Sequence, residues 1–337
     1  MKKVAIIIVN YNGKKYLRGC LASLKNQSFK DFDIFLIDNC SSDDSLKDIK
    51  DTEVKLIKNK KNYGFAEGNN IGMRQAIKEG YQYIALVNFD TETDEKWLEK
   101  LVERIETDSG IGAVQSKVLL AGSKLINTTG GHLHFLGFSY CRDYKMPDTF
   151  KNVDDICAAS GASVLFRSEA LKKIGLFDKT FFMYLEDTDI SWRLKEAGYK
   201  LIFEPNSVIY HKYAFSKNKD KFYHSEKNRI IFILKNYELK TILLLLPAFL
   251  FTEILMILYA AFDGWFTQKI KGYIFVIRHF GEIMASRQRV QKIRRVRDKE
   301  LKGYFSYKLA FDEVSNPLFV PLNLFFRFYW FLVRSFI

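Results

Sequence analysis

Residues 1–230 predict an α/β domain on a mixed, mainly parallel sheet, and residues 231–337 predict a basic, apolar helical region attached to it. Three observations carry this. Through the first half, short continuous apolar runs alternate with helical patterns, as do strands buried on both faces of a parallel sheet. Those runs end in polar residues. Beyond about residue 230 the composition becomes strongly apolar and then strongly basic, and no linker interrupts the chain before that point.

The elements follow in order. "VAIIIV" (4–9) is the first strand. The opening "MKKVAIIIVNYNG" imitates a secretion leader, but its six-residue apolar run is too short for one and no small-residue cleavage site follows. A helix is expected around Tyr16–Leu24, then the strand "DIFLID" (33–38) and a capped helix at about 42–50. The strand "VKLIKN" (54–59), a helix from about Asn69 to Glu79 and the strand "YIALVN" (83–88) complete the alternation. Ligands of such sheets bind outside the carboxyl ends of the strands. Here those ends carry Asn10 and Asn12, Asp38 and Asn39, Lys58 and Asn59, then Asn88 and Asp90. From about 110 to 215 the pattern is mixed: "IGAVQSKVLL", "TTGGHLHFLGF", "GASVLF", a helical "LEDTDISWRLKEAGY" and the strand "KLIFEP".

Bulk composition bounds the function. With 48% hydrophobic residues and only 5 Pro the chain is globular, and a formal charge of +13 implies an anionic partner. Cys20, Cys40, Cys141 and Cys157 form no C-x-x-C pair, so reduced cytosolic thiols are expected rather than zinc or disulfides. Neither a Walker A sequence nor G-x-G-x-x-G occurs, so P-loop and dinucleotide chemistry lack their fingerprints.

The tail locates the charge. Residues 241–262 are long and apolar enough to span a bilayer, but Pro247 and Glu253 lie inside them, and a central acid costs about 2.5–3.5 kcal/mol. Residues 269–308 hold twelve Lys or Arg and three acids, which keeps them cytoplasmic. One span cannot leave both flanks on the same side, so in-plane helices or a re-entrant hairpin are expected. Asn323, Arg327 and Arg334 make one polar stripe on the last apolar helix, which suits an interfacial position. The expected partner is thus an anionic membrane surface, met from its cytoplasmic face by a peripheral or monotopic protein. The competing reading makes 241–262 a buried core helix and the tail an oligomer contact, as in a homodimer. Nucleic acid is not expected, because apolar helices flank the basic cluster.

Several polar residues suit chemistry. Asp38, at the end of "IFLI", can accept from a base N–H or ribose hydroxyls, with Ser41 or Ser42 capping the next helix; taken alone, a residue so placed is more often a turn residue than a ligand. "NYGFAEGNNIG" (62–72) sets glycines and amides at a helix start, which suits a diphosphate or a nucleobase, though such residues also punctuate turns. In "FFMYLEDTDISWRLKEAGY", Ile190, Leu194 and Ala197 mark a buried face while Glu186, Asp187 and Asp189 crowd the first turn. Capping needs one acid; three repel one another, and a general base is one further use. His211, closing "SVIYH", is a metal-ligand candidate beside a carboxylate site.

Taken together, "VNYNG", "IDNCSSDDS", "NYGFAEGNNIGM", "VNFDTE", "GASVLFRSEALKKIGLFDKTFFMYLEDTDISWRLKEAGY" and "VIYH" come in the order found in family 2 glycosyltransferases. Over residues 3–235 the chain resembles that family, and within it the bacterial rhamnosyltransferase-type enzymes of surface polysaccharide assembly. The resemblance implies a GT-A fold, a nucleoside-diphosphate-sugar donor (dTDP- or UDP-linked, L-rhamnose among the candidates), a divalent cation (Mg²⁺ or Mn²⁺) and inversion at the anomeric carbon. By matched position Asn10, Asp38 and Asn69 would contact the donor nucleotide. Asp90 would bind the donor through the metal, and His211 would be a further metal or diphosphate contact. Asp187 matches the catalytic base, with Glu186 its rival. The chain departs from the family at Asn88, where an Asp is frequent, and at Phe89, where a Pro is. The apolar tail motivates a polyprenyl-diphosphate-linked or other saccharide acceptor; Asn228 and Arg229 read as contacts to its diphosphate or as a solvated charged helix face, and His132 and His134 as ordinary strand-edge residues before lining of its cleft. The alternatives are a nucleotidyltransferase and a non-catalytic membrane-peripheral module with this fold.

Overall fold

The computed structural model describes residues 2–47, 49, 54–212, 220–310 and 319–337. Its strands are β1 (Val4–Asn10), β2 (Phe32–Asp38), β3 (Lys55–Lys58), β4 (Tyr83–Val87), β5 (Thr91–Thr93), β6 (Ile111–Leu120) and β7 (Ile126–Thr128). There follow β8 (Gly131–His134), β9 (Ser139–Cys141), β10 (Asp154–Asp155), β11 (Ser163–Arg167), β12 (Lys200–His211) and β13 (Phe305–Ser306). The helices are α1 (Leu17–Lys25), α2 (Gly64–Glu79), α3 (Trp97–Glu106), α4 (Ser168–Ile174), α5 (Glu186–Glu196) and α6 (Asp220–Asn236). After them come α7 (Leu239–Phe262), α8 (Phe266–Arg278), α9 (Phe280–Ile293), α10 (Asp298–Leu301) and α11 (Phe319–Val333).

The large sheet runs β10-β12-β6-β11-β4-β1-β2-β3, with β5 on β12 and β7 on β6. Strands β4, β1, β2 and β3 are mutually parallel, whereas β11 runs antiparallel to both β4 and β6. The alternation along β1 explains why its run is unbroken. Val4, Ile6 and Ile8 face a core that includes Leu21 and Leu24 of α1 and Trp97 and Leu101 of α3. Ile7 and Val9 meet the glycine face of α2 at Gly72 and Gly68. Both faces are therefore covered, and the buried indole N–H of Trp97 is satisfied by Ser116 Oγ (2.9 Å) and Ser163 Oγ (2.8 Å).

The observed helices α1 and α2 overlap those expected, with α2 beginning five residues earlier, at Gly64 rather than Asn69. The capped helix expected at about 42–50 does not form in the described part, where 43–47 are bends and turns; 48 and 50 lie outside the described residues. The reason is local. Ser41 Oγ is taken by Asp38 (2.6 Å) instead of capping, and Lys14 N and Ser45 N bond Asp43.

The chain forms two compact units that are discontinuous in sequence. One comprises 1–131, 141–183 and 199–214; the other comprises 132–140, 184–198 and 215–337. The second unit contains α5 to α11 and most of a small sheet ordered β13-β8-β9. Helix α5 differs from the amphipathic helix expected. Beyond Ile190 and Leu194 it also buries Asp189, Arg193, Lys195 and Glu196, each of which has an ion pair or cation–π partner. All four cysteines are free thiols, and burial pushes Cys20 up to about 12.

His134 is a core residue, not part of an acceptor cleft. It is fully buried, stacks on Phe135 and meets Phe326 edge-on. Its Nδ1 accepts from Leu136 N (3.1 Å), so Nε2 carries the proton and donates to Tyr307 O (3.1 Å). Burial lowers its pKa from 6.5 to about 3, so the folded state holds the neutral ring. The stability this contributes is complete above 6.5 and is lost as pH falls from 6.5 towards 3, at about 1.4 kcal/mol per pH unit. Denaturant unfolding at stepped pH should show that slope in the wild type, and a smaller one in His134→Gln.

Candidate functional site

The first unit assembles a polar cluster from strand ends. Strand β4 ends at Val87, and the chain turns over 88–91, with Asn88 O accepting from Thr91 N (3.2 Å) and Thr91 Oγ1 (2.7 Å). Asp90 occupies that turn. Beyond it β5 pairs antiparallel with the end of β12, Thr91 opposite His211, and Lys212 N donates to Asp90 O (2.9 Å). This register brings His211 Nε2 to 3.3 Å from Asp90 Oδ1. The other ring nitrogen, Nδ1, donates to Asn127 Oδ1 at 2.8 Å. Nε2 is therefore the ring nitrogen left facing the carboxylate oxygen, an arrangement that a shared cation or proton makes favourable. Asn127, on β7, carried no signal in the sequence. Beside the pair, Lys212 Nζ binds Glu92 at 2.5 Å.

Two further predicted residues meet at the ends of β1 and β2. Asn10 Nδ2 donates to Asp38 Oδ1 (2.9 Å), Ser41 Oγ (3.0 Å) and Ser45 Oγ (2.9 Å). Asp38 also accepts from Ser41 N (3.1 Å), so its carboxylate is engaged within the protein. The side-chain oxygen of Asn10, Oδ1, is buried and has no hydrogen-bond partner among the described residues. Gly13 closes over it: a Cβ there would lie 2.2 Å from that oxygen. Asn69 is not brought into this group. It lies inside α2, 2% exposed, and donates to Phe65 O (2.9 Å). Asn39 reaches α2 instead, donating to Gly64 O (2.9 Å).

The acids of α5 lie in the second unit and divide by environment. Asp189 is buried between Arg193 Nε (2.9 Å), Lys235 Nζ (2.7 Å) and Asn236 Nδ2 (2.9 Å). Glu186 is buried, and its Oε2 has no partner among the described residues. Burial first, then the charges of Asp187 and Asp189, raise its pKa well above the carboxylate range. Asp187 alone of the three is half-buried rather than buried, and its Oδ1 accepts from Thr188 N at 2.7 Å. The turn before α5 is strained: Phe182 (φ 63°), Tyr184 (φ 68°) and Leu185 (φ 62°) are left-handed without being glycine. Asn228, within the same unit as Tyr184, donates to Tyr184 O at 2.8 Å. Arg229, next to it, is 1% exposed and bound to Glu226 and Glu253, so its guanidinium is committed within the protein.

The sequence pattern described as Glycosyl transferase family 2 matches residues 5–175, half of the chain. The chain belongs to glycosyl transferase family 2. An uncharacterized glycosyltransferase of Haemophilus influenzae is 25% identical over 241 residues, 67% of this chain and 69% of that one. The poly-β-1,6-N-acetyl-D-glucosamine synthase of Staphylococcus epidermidis is 23% identical over 213 residues, 61% of this chain but only 49% of the synthase. Among solved structures, GalNAc-T7 with UDP, GalNAc and Mn²⁺ superposes with a TM-score of 0.59 at 19% identity, covering 72% of this chain and 49% of that one. Residues 1–349 of TarS from S. aureus, in complex with UDP, give 0.51 at 18% identity, covering 74% and 70%. This family 2 glycosyltransferase therefore has the GT-A fold. Its family match stops before α5, so the roles of Glu186 and Asp187 rest on their own surroundings.

Gly64 begins α2 at φ +79°, and a Cβ there would stand 2.5 Å from Phe182 O and 2.6 Å from the Phe182 ring. Gly64→Ala is expected to destabilise the protein by about 2 kcal/mol, read as a lower urea midpoint at unchanged slope.

Proposed function

We propose that this glycosyltransferase moves a sugar from a nucleoside-diphosphate donor to a saccharide acceptor with inversion, using a divalent cation, at a membrane surface. The observation that carries the reading is the Asp90–His211 pair held by Asn127. Among the described residues no three His, Cys, Asp or Glu side chains are grouped to hold a metal. Asp90 and His211 would thus supply the protein's share, and donor phosphate oxygens and water the rest. The donor set fits Mn²⁺ or Mg²⁺, and Asn127 would fix the ring tautomer behind it. When bound, the cation offsets charge developing on the departing diphosphate.

The chain's own residues do the remaining work. Asn10 would offer its buried side-chain oxygen to a base N–H, and Asp38 would hold Asn10 in place. Asp187 takes the proton of the acceptor hydroxyl as that oxygen bonds to the anomeric carbon. The bond from that carbon to the diphosphate oxygen breaks on the opposite face, and its electron pair leaves with the diphosphate. Glu186 stays protonated beside it and adds no second charge. No covalent intermediate is needed for inversion.

Two structural neighbours were solved with UDP, which supports a uridine donor, and the rhamnosyl resemblance supports dTDP-L-rhamnose. A donor panel read by release of nucleoside diphosphate decides between them; release of pyrophosphate instead would favour nucleotidyl transfer. The acceptor we propose is lipid-linked, because the exposed apolar helices of the second unit would hold the enzyme where such an acceptor lies. Asp187→Asn should lower turnover about 10²–10⁴-fold with donor binding retained; near-wild-type transfer would sink the assignment. Asn127→Ala should weaken Mn²⁺ binding to the donor complex about tenfold or more, measured by calorimetric titration.

A further inference from the structure

One described helix, α7, is long and apolar enough to cross a membrane by length and composition. We propose that it lies in the plane of the membrane surface and does not cross. This deepens the membrane reading above and rests on it.

The first observation is sidedness. Leu243, Leu246, Leu250, Ile254, Leu258 and Phe262 are exposed, the last at 93%, and their spacing of three and four keeps them on one helical face. Thr241, Leu245, Ala248, Thr252, Glu253 and Ala260 form the buried face. That face is already occupied by protein, since Glu253 on it is bound by Arg229 of α6 and Lys269 of α8, and Tyr329 OH of α11 donates to Leu244 O (2.6 Å). A helix crossing alone would present every face to lipid; this one has a single face available.

The second observation is the charge behind it. Glu253 binds Arg229 of α6, Lys269 of α8 at 2.8 Å, and the Tyr273 hydroxyl at 2.5 Å, while Glu226 of α6 binds the same Arg229 and Lys269. Two acids and two bases are buried as one neutral cluster. Carrying α7 through the hydrocarbon would bring this cluster with it, and ionised groups at membrane depth are costly. The helices packed on α7 could not follow. Helix α8 has 13 residues and α11 has 15, against the roughly 20 a crossing needs.

The third observation identifies the occupant. Helix α8 bares Phe266, Ile274 and Ile277 (74% exposed), and α11 bares Val320, Leu324 and Phe328. Lys240, Lys271, Arg278 and Arg327 are exposed on these same helices, and Arg334 is exposed just past the end of α11. Apolar stripes edged by cations match acyl chains beneath anionic headgroups. The occupant is therefore an anionic lipid surface, in which Glu253 faces protein and never lipid.

The test uses the full chain in cell membranes. Cys40→Ser and Cys141→Ser remove the accessible thiols, and Lys240→Cys or Asp263→Cys then marks one end of α7 or the other. With a membrane-impermeant maleimide, both ends should react from the same side in sealed inside-out and right-side-out vesicles. Ends reacting from opposite sides would overturn the in-plane placement while leaving membrane association intact. Recovery of the protein in the supernatant would overturn both. In parallel, Ile254→Ser should weaken binding to phosphatidylcholine–phosphatidylglycerol vesicles about tenfold or more with unchanged thermal unfolding. Unchanged vesicle binding by that variant would remove α7 from the contact.

Discussion

The pairing of β5 with the last residues of β12 is the constraint on which the Asp90–His211 pair depends. It sets Thr91 against His211, and from that one register follow the proximity of His211 to Asp90 and the reach of Lys212 to Glu92. The register is set in turn by an irregularity upstream. Against β6, Glu204 pairs with Ser116 and Val208 with Lys117, so residues 205–207 of β12 have no counterpart. An odd insertion reverses which residues face which side of the sheet, and Pro205, which has no N–H to lose, sits within it. Without this bulge the ring of His211 would turn away from the carboxylate.

The second unit buries ionised groups against one another. Asp189 is enclosed by Arg193, Lys235 and Asn236, and Glu226 by Arg229 and Lys269. Such pairs contribute little net stability against an apolar alternative, but removing one partner costs about 3–5 kcal/mol. Their effect is therefore to fix which helix packs on which. Glu186 departs from this rule: it is buried beside like charges, and its raised pKa records the cost of ionising it there.

The parallel strands were legible because their residues have to be apolar on both faces, and the polar rim because that is where apolar packing ends. The pairing of Asp90 with His211 was legible only through family resemblance, since the two are far apart in sequence and meet through a strand register. Asn127 was invisible, as an asparagine in a short strand has no pattern of its own. Asp38 and Asn69 show the limits of position. The first is engaged with Ser41 and Asn10, and the second turns back into its own helix. Glu253 read as an obstacle to insertion because its partners, Arg229 and Lys269, lie on other helices that no local window includes.

The route of the chain through the two units has a consequence for how the protein is made. Residues 132–140 belong to the second unit, yet most of that unit is encoded after residue 215. At synthesis rates of about 5–20 residues per second, the segment carrying Leu133, Phe135 and His134 waits roughly 10–40 s for its last partners on α11. Its apolar side chains stay uncovered for that interval. The nascent chain thus passes through a stage in which an early-made hydrophobic segment depends on residues of α11, encoded far downstream.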